Sequence, residues 1–200
     1  MSDQWSRNWR ASIPLTRAVA RVAFRMKVTG RKHIPEGPFV AASNHLSHVD
    51  PPFVGTAIRR PMKFMAAADL QGLNRPLDFL LGIYGTIALP RSGVPFTAMK
   101  AALHHLSTGG AVGVFPEGRR AAEWGHDVPY EGAAWLALRS GSPLLPVAVQ
   151  GTPEVMGLEA RMIRPAPVTV SILPPLSPRG TRGELTAQWV STMSSVLGAG

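Results

Sequence analysis

The chain has 200 residues, 45% hydrophobic and only 16% charged, which excludes a disordered chain and gives enough length for one domain with a substantial core. Cysteine is absent, so disulfides, thiolate metal sites and cysteine nucleophiles are excluded. The net charge of +9 points to anionic partners: nucleic acid, anionic lipid or acidic metabolites.

The first 32 positions hold Arg7, Arg10, Arg17, Arg21, Arg25, Lys27, Arg31 and Lys32 against one acid, Asp3. Arg17, Arg21 and Arg25 are four apart and predict one helical stripe; Leu15, Val19, Val22 and Met26 predict another. Trp5 and Trp9 are also four apart. A basic amphipathic helix with tryptophans reads as an element that lies in a membrane interface. The N-terminus has no apolar run of the signal-peptide kind. The most apolar stretch, residues 79–90, is too short to span a bilayer.

Downstream, "KVTGRKHI" reads as a short strand and turn, and 38–43 as a strand. Residues 51–59 suit a helix, 62–68 a strand, 75–85 a helix ending at glycine, and 86–90 a short strand. Residues 95–110 begin with Pro95, are periodic in apolar residues and stop at Gly109-Gly110, which predicts a helix. Then come a buried strand (111–115), a helix (130–141), strands at 143–151 and 167–173, and a closing helix (182–197). This alternation predicts an α/β layer fold. No repeat or linker divides the chain, so 1–200 reads as a single domain.

Chemistry-bearing residues gather where strands end. "SNHLSHVD" (43–50) follows the 38–43 strand and offers His45 as a general base with Asp50 to orient it. Five residues apart, the two stand about 140° apart on a straight helix and on opposite faces of a strand, so they meet only if the chain turns between them. Asp50 as N-cap ahead of Pro51 is one such turn. A start at Ser47 with Asp50 closing a capping box is the other. Arg91 follows the 86–90 strand, and Glu117, Arg119 and Arg120 follow 111–115. Clefts in α/β folds form at such ends, and guanidinium pairs hold phosphate. A base beside a phosphate clamp suggests activation of a hydroxyl on a phosphorylated acceptor.

These residues resemble the glycerolipid acyltransferases, the lysophosphatidic acid acyltransferase (PlsC-like) family. "NHLSHVD" (44–50) has the family's His-x4-Asp form, and "GTIALPR" (85–91) resembles its second motif. "VFPEGRR" (114–120) resembles the third, Phe-Pro-Glu-Gly-x-Arg, and "PLLPVAV" (143–149) the fourth. All four stand in family order. The resemblance implies that His45 deprotonates the acceptor hydroxyl while Asp50 orients it. The hydroxyl would attack an acyl thioester, acyl-CoA or acyl carrier protein, with no covalent acyl-enzyme and no cofactor beyond that co-substrate. Arg91, Glu117, Gly118, Arg119 and Arg120 fall where the family binds its lysophospholipid acceptor, such as 1-acylglycerol-3-phosphate. Pro146 falls in the motif linked to the donor. The implied fold is a mostly parallel sheet flanked by helices. Residues 1–30 would be a membrane-associating element that holds the protein peripherally on the cytoplasmic face of the cell membrane.

Arg119 stands where the family usually has a small residue, which leaves Arg119 and Arg120 both as candidates for the phosphate. His48 stands where an aromatic is common; Pro51, Pro52 and Pro90 are further departures. Read from the residues alone, His48 suits a helix start, and His104 and His105 suit surface or packing roles. His126, Asp127 and Glu123 lack the second half of a metal site, so no metal is expected. No Gly-x-Ser-x-Gly elbow, Walker loop or dinucleotide fingerprint occurs. The rival classes are a non-enzymatic binder of anionic lipid or nucleic acid, and the same transfer onto another hydroxylated lipid or a specialised metabolite. A binder leaves the motif order unexplained, and nucleic acid is not an expected partner.

Overall fold

The computed structural model describes residues 2–67, 85–89, 96–160 and 162–198. In chain order the elements are α1 (Ser2–Ala23), β1 (Lys27–Thr29), a 3₁₀ turn (Arg31–His33), β2 (Phe39–Ser43), α2 (Asp50–Ile58), β3 (Met62–Ala67), β4 (Thr86–Leu89), α3 (Phe96–Ser107) and β5 (Ala111–Val114). They continue with α4 (Gly132–Ser140), β6 (Leu144–Gln150), a one-turn α5 (Thr152–Val155), β7 (Thr169–Ile172) and α6 (Arg182–Leu197). The helix expected at 75–85 lies outside the described residues except for Gly85.

The seven strands form one mixed sheet in the order β1-β7-β6-β2-β5-β3-β4. Every neighbouring pair is parallel except β6 and β7. That exception follows from the connection. Among the described residues between β6 and β7 the one helical element is the single turn α5, too little helix for a crossover, so β7 returns antiparallel beside β6.

β2 is buried along its whole length because both faces of the sheet are covered. Its side chains alternate between two cores. Phe39 and Ala41 join Trp9, Phe53, Val54 and Ile58 under α1 and α2. Val40 and Ala42 join Ala102, Leu106, Leu136, Leu185 and Trp189 under α3, α4 and α6. Trp189 also donates its indole N–H to the Ala42 carbonyl at 3.1 Å. The strand is thereby fixed on both sides just before it delivers residues 44–50.

α1 departs from the expected interfacial helix in two ways. Trp9 is buried in the core with Ile13 and Ala20, so that tryptophan faces the domain and not a lipid. The helix also ends at Ala23, so Arg25 and Met26 are not on its stripes. Arg25 sits at φ 44° in the turn that follows, and Met26 packs against the core. Leu15, Val19 and Val22 do share an outward face, 70%, 48% and 82% exposed.

Candidate active site

The site begins where β2 stops pairing. Parallel register matches Ser43 with Val147, so continued pairing would bring residue 45 to Val149. Asn44 pre-empts that. Its buried side-chain amide donates to the Val149 carbonyl at 2.8 Å and accepts the Val149 N–H at 2.8 Å. A side chain thus completes the ladder in place of backbone, and the chain at His45 is released from the sheet while β6 stays satisfied.

Residues 44–49 then turn around the carboxylate of Asp50, the first residue of α2. Asp50 is fully buried, and its Oδ2 accepts from three donors: His45 Nδ1 at 2.9 Å, Leu46 N–H at 2.8 Å and Ser47 N–H at 2.7 Å. Neither expected start is taken: α2 begins at Asp50 behind Val49 as N-cap, and only the carboxylate half of the Ser47 capping box forms. Asp50 reaches back to the Ser47 N–H as a capping box requires, while the Ser47 hydroxyl accepts from Val49 N–H at 3.3 Å. The same hydroxyl donates to the Met156 carbonyl at 2.6 Å, tying the turn to the segment after α5.

The imidazole of His45 is held by more than Asp50. It stacks on Phe115, centroids 4.1 Å apart and planes 23° apart. Its main chain is clamped by the loop after β5: Glu117 Oε2 accepts the His45 N–H at 2.5 Å, and the His45 carbonyl accepts from Ala121 N–H at 2.9 Å. With a carboxylate on Nδ1, the ring carries its proton there and presents an Nε2 lone pair. The His45 side chain is 18% exposed, whereas that of Asp50 is out of water.

Glu117 is itself buried. Burial pushes its carboxyl up to about 7; the charges of Asp50 and Asp127 add to the rise, and the hydrogen bond from His45 N–H opposes it. Gly118 follows at φ 71°, in the left-handed region, and a Cβ there would sit 2.6 Å from the Tyr130 ring. The positive φ is what calls for glycine at this turn, since the exposed Tyr130 ring is free to shift.

The adjacent arginines divide. Arg119 grips Asp127 with both arms of its guanidinium, Nε to Oδ2 at 2.9 Å and Nη2 to Oδ1 at 2.6 Å. Arg120 lies on the dyad's side. Burial lowers the His48 imidazole below its usual value and the Arg120 charge lowers it further, while Asp50 acts on Arg120 in turn. Among the described residues Arg120 makes a single, long 3.4 Å contact, with the Leu158 carbonyl. Asp127 is therefore engaged with an arginine. Arg91 lies outside the described residues.

Pro146 is buried in β6 opposite Ala42, three residues before His45 in register. Its carbonyl accepts from Leu173 N–H at 3.0 Å, while two residues earlier Leu144 pairs with Leu176. The register slips by one between these pairs, so Pro146 borders a bulge, a place where a strand tolerates a residue without N–H.

Asn44, Ser47 and Phe115 also hold the site and were not among the expected residues. Ser47 had a signal, since Ser-x-x-Asp is a capping-box pattern. Asn44 and Phe115 act through partners distant in sequence.

A family model described as Acyltransferase matches residues 25–150. The 1-acyl-sn-glycerol-3-phosphate acyltransferase of Borreliella burgdorferi is 26% identical over 152 residues, which cover 72% of this chain and 60% of that protein. The chain thus spans less than two thirds of that relative's length. The crystal structure of the 1-acyl-sn-glycerophosphate (LPA) acyltransferase PlsC from Thermotoga maritima matches with a TM-score of 0.77 at 22% identity, over 98% of this chain and 82% of that one. At that identity the likeness is one of fold, and it supports the α/β architecture described above.

Proposed function

The chain belongs to the acyltransferase family, and from that premise we propose that it moves an acyl chain from an acyl thioester to a hydroxyl of a lysophospholipid such as 1-acylglycerol-3-phosphate. The observation that carries the reading is the 2.9 Å contact between His45 Nδ1 and the fully buried Asp50, on a partly exposed ring.

In this mechanism His45 Nε2 takes the acceptor's hydroxyl proton as its oxygen attacks the thioester carbonyl. The new C–O bond forms, the tetrahedral intermediate collapses, and the C–S bond breaks. The thiolate of coenzyme A or acyl carrier protein leaves with the proton returned from Nε2. Asp50 keeps the ring in one tautomer and stabilises the imidazolium while it exists. Glu117 acts on the main chain of His45. Arg120, with Arg91 from the second motif, meets the acceptor phosphate, and Arg119 remains with Asp127. Pro146 contributes on the donor side through β6, the strand beside β2.

The protein works peripherally at the cytoplasmic face of an anionic membrane. The outward Leu15, Val19 and Val22, on a helix that also bears Arg17 and Arg21, support this. Among the described residues no helix is long and apolar enough to cross a membrane.

The test is a matrix of acyl-CoA and acyl carrier protein donors against hydroxylated lipid acceptors, read by mass spectrometry. The expected product is the diacylated phosphate. Acyl release to water alone, or no turnover of any donor, contradicts the proposal.

A further inference from the structure

A second cluster of guanidiniums lies at the other end of α2, about 13 Å from the dyad by helix rise. α1 packs on α2 and carries Arg17 and Arg21 one turn apart. The 3₁₀ turn contributes Arg31, its first residue, and Arg59 forms the C-cap of α2. The four charges act on one another: Arg59, Arg17 and Arg21 on Arg31, and Arg17 and Arg21 on Arg59.

Three features make this more than a basic surface. Among the described residues, none of the four has an ion-pair partner. The Nε of Arg31 is buried and has no hydrogen-bond partner, a donor left waiting for an acceptor. Arg59 has its backbone fixed at φ 60° with its N–H on the Gly55 carbonyl at 3.0 Å, so the root of its side chain is set before any ligand arrives. The neighbouring Arg60 differs, because its guanidinium is already held by the carbonyls of Pro35 and Gly37.

We propose that Arg17, Arg21, Arg31 and Arg59 form an anion site for a phosphomonoester, carried on a lipid headgroup or free in solution. A phosphomonoester offers up to two negative charges and three terminal oxygens. Planar guanidinium forks match those oxygens in pairs. Turning the Arg31 guanidinium outward onto a ligand oxygen would satisfy its Nε donor, and the ligand's charge would relieve the mutual repulsion. The site is separate from Arg120 and does not depend on acyl transfer. The lipid-borne source suits it because Arg17 and Arg21 share α1 with the outward Leu15, Val19 and Val22.

The test uses the intact chain and reads binding, not activity. Thermal unfolding is followed in inorganic phosphate against sodium chloride of equal ionic strength. Sedimentation is followed with phosphatidylcholine vesicles, plain or doped with phosphatidate. Arg31→Gln/Arg59→Gln is compared with a charge-matched pair, Arg139→Gln/Arg179→Gln, placed away from the cluster. In the wild type and the matched pair, phosphate should raise Tm or phosphatidate should strengthen vesicle binding, and Arg31→Gln/Arg59→Gln should lose at least about tenfold in affinity. A response to vesicles alone assigns a lipid-borne ligand, and a response to free phosphate assigns a soluble one; both support the site. Equal loss in the two pairs, or a wild type that responds to neither inorganic phosphate nor phosphatidate, overturns it. Should Arg31→Gln/Arg59→Gln fail to fold, Arg31→Lys, which keeps the charge but loses the fork, must show the loss by itself; wild-type binding in Arg31→Lys would overturn the site equally.

Discussion

Asp50 reaches back over five residues to hold His45 Nδ1 at 2.9 Å, and the same oxygen takes the N–H groups of Leu46 and Ser47. One buried carboxylate oxygen therefore fixes both the loop and the ring. Asp50→Asn can keep one oxygen for the three donors, but it removes the negative charge that holds the proton on Nδ1 and stabilises the imidazolium. We expect kcat to fall by roughly 10²–10⁴-fold through lost ring orientation, with acceptor KM nearly unchanged. A pH–rate profile checks the cause: the limb assigned to the base should shift or vanish in Asp50→Asn, whereas general loosening of the fold would leave it in place.

Asn44 substitutes for backbone in the ladder with Val149. Asn44→Ala removes both hydrogen bonds and leaves a buried N–H and C=O on Val149 without partners. The expected destabilisation is about 2–4 kcal/mol, measured by denaturant unfolding. A change below about 0.5 kcal/mol would mean that water or backbone takes over the pairing.

Glu117 sets a pH dependence whose sign follows from its raised carboxyl, about 7 in the fold against 4.5 in an unfolded chain. The folded state binds this proton more tightly, so the stability it contributes is full below about pH 4.5. It is lost as pH rises through 7. The difference is on the order of 3 kcal/mol. Glu117→Gln keeps an acceptor for the His45 N–H and cannot ionise. Its stability relative to wild type should therefore increase between pH 4.5 and 8 and level off below. A constant difference across that range would contradict the raised carboxyl.

Arg120 and Arg119 separate by partner. Arg120→Ala should raise acceptor KM well above any change in donor KM. Arg119→Ala breaks only an exposed pair with Asp127 and should change neither by much. Initial-rate kinetics with both substrates varied decide it, and a larger acceptor effect at Arg119 would exchange the two roles.

Leu15, Val19 and Val22 face outward from a helix docked through Trp9, Ile13 and Ala20. Replacing the three outward residues with serine should weaken flotation with anionic vesicles and leave Tm nearly unchanged. A large fall in Tm would instead place this face inside an assembly.

Much of this was legible in the sequence because the signals were local. α3 starts and stops near its proline and its glycine pair, and the His-x4-Asp spacing demanded a turn that the loop supplies. What escaped depended on distant partners. β7 returns antiparallel because the segment before it is too short in helix, a fact of the whole connection. Trp9 turns inward because α1 has a core to dock on, which periodicity cannot distinguish from a lipid. Arg119 was indistinguishable from Arg120 until the loop brought Asp127 to one of them.

The most direct measurement is acceptor-dependent thiol release from acyl-CoA by wild type and by His45→Ala, with folding verified by circular dichroism. The wild type should release thiol only with a lysophospholipid present, and folded His45→Ala should be slower by roughly 10²–10⁴-fold. Near-normal turnover in a folded His45→Ala protein would contradict His45 as the general base.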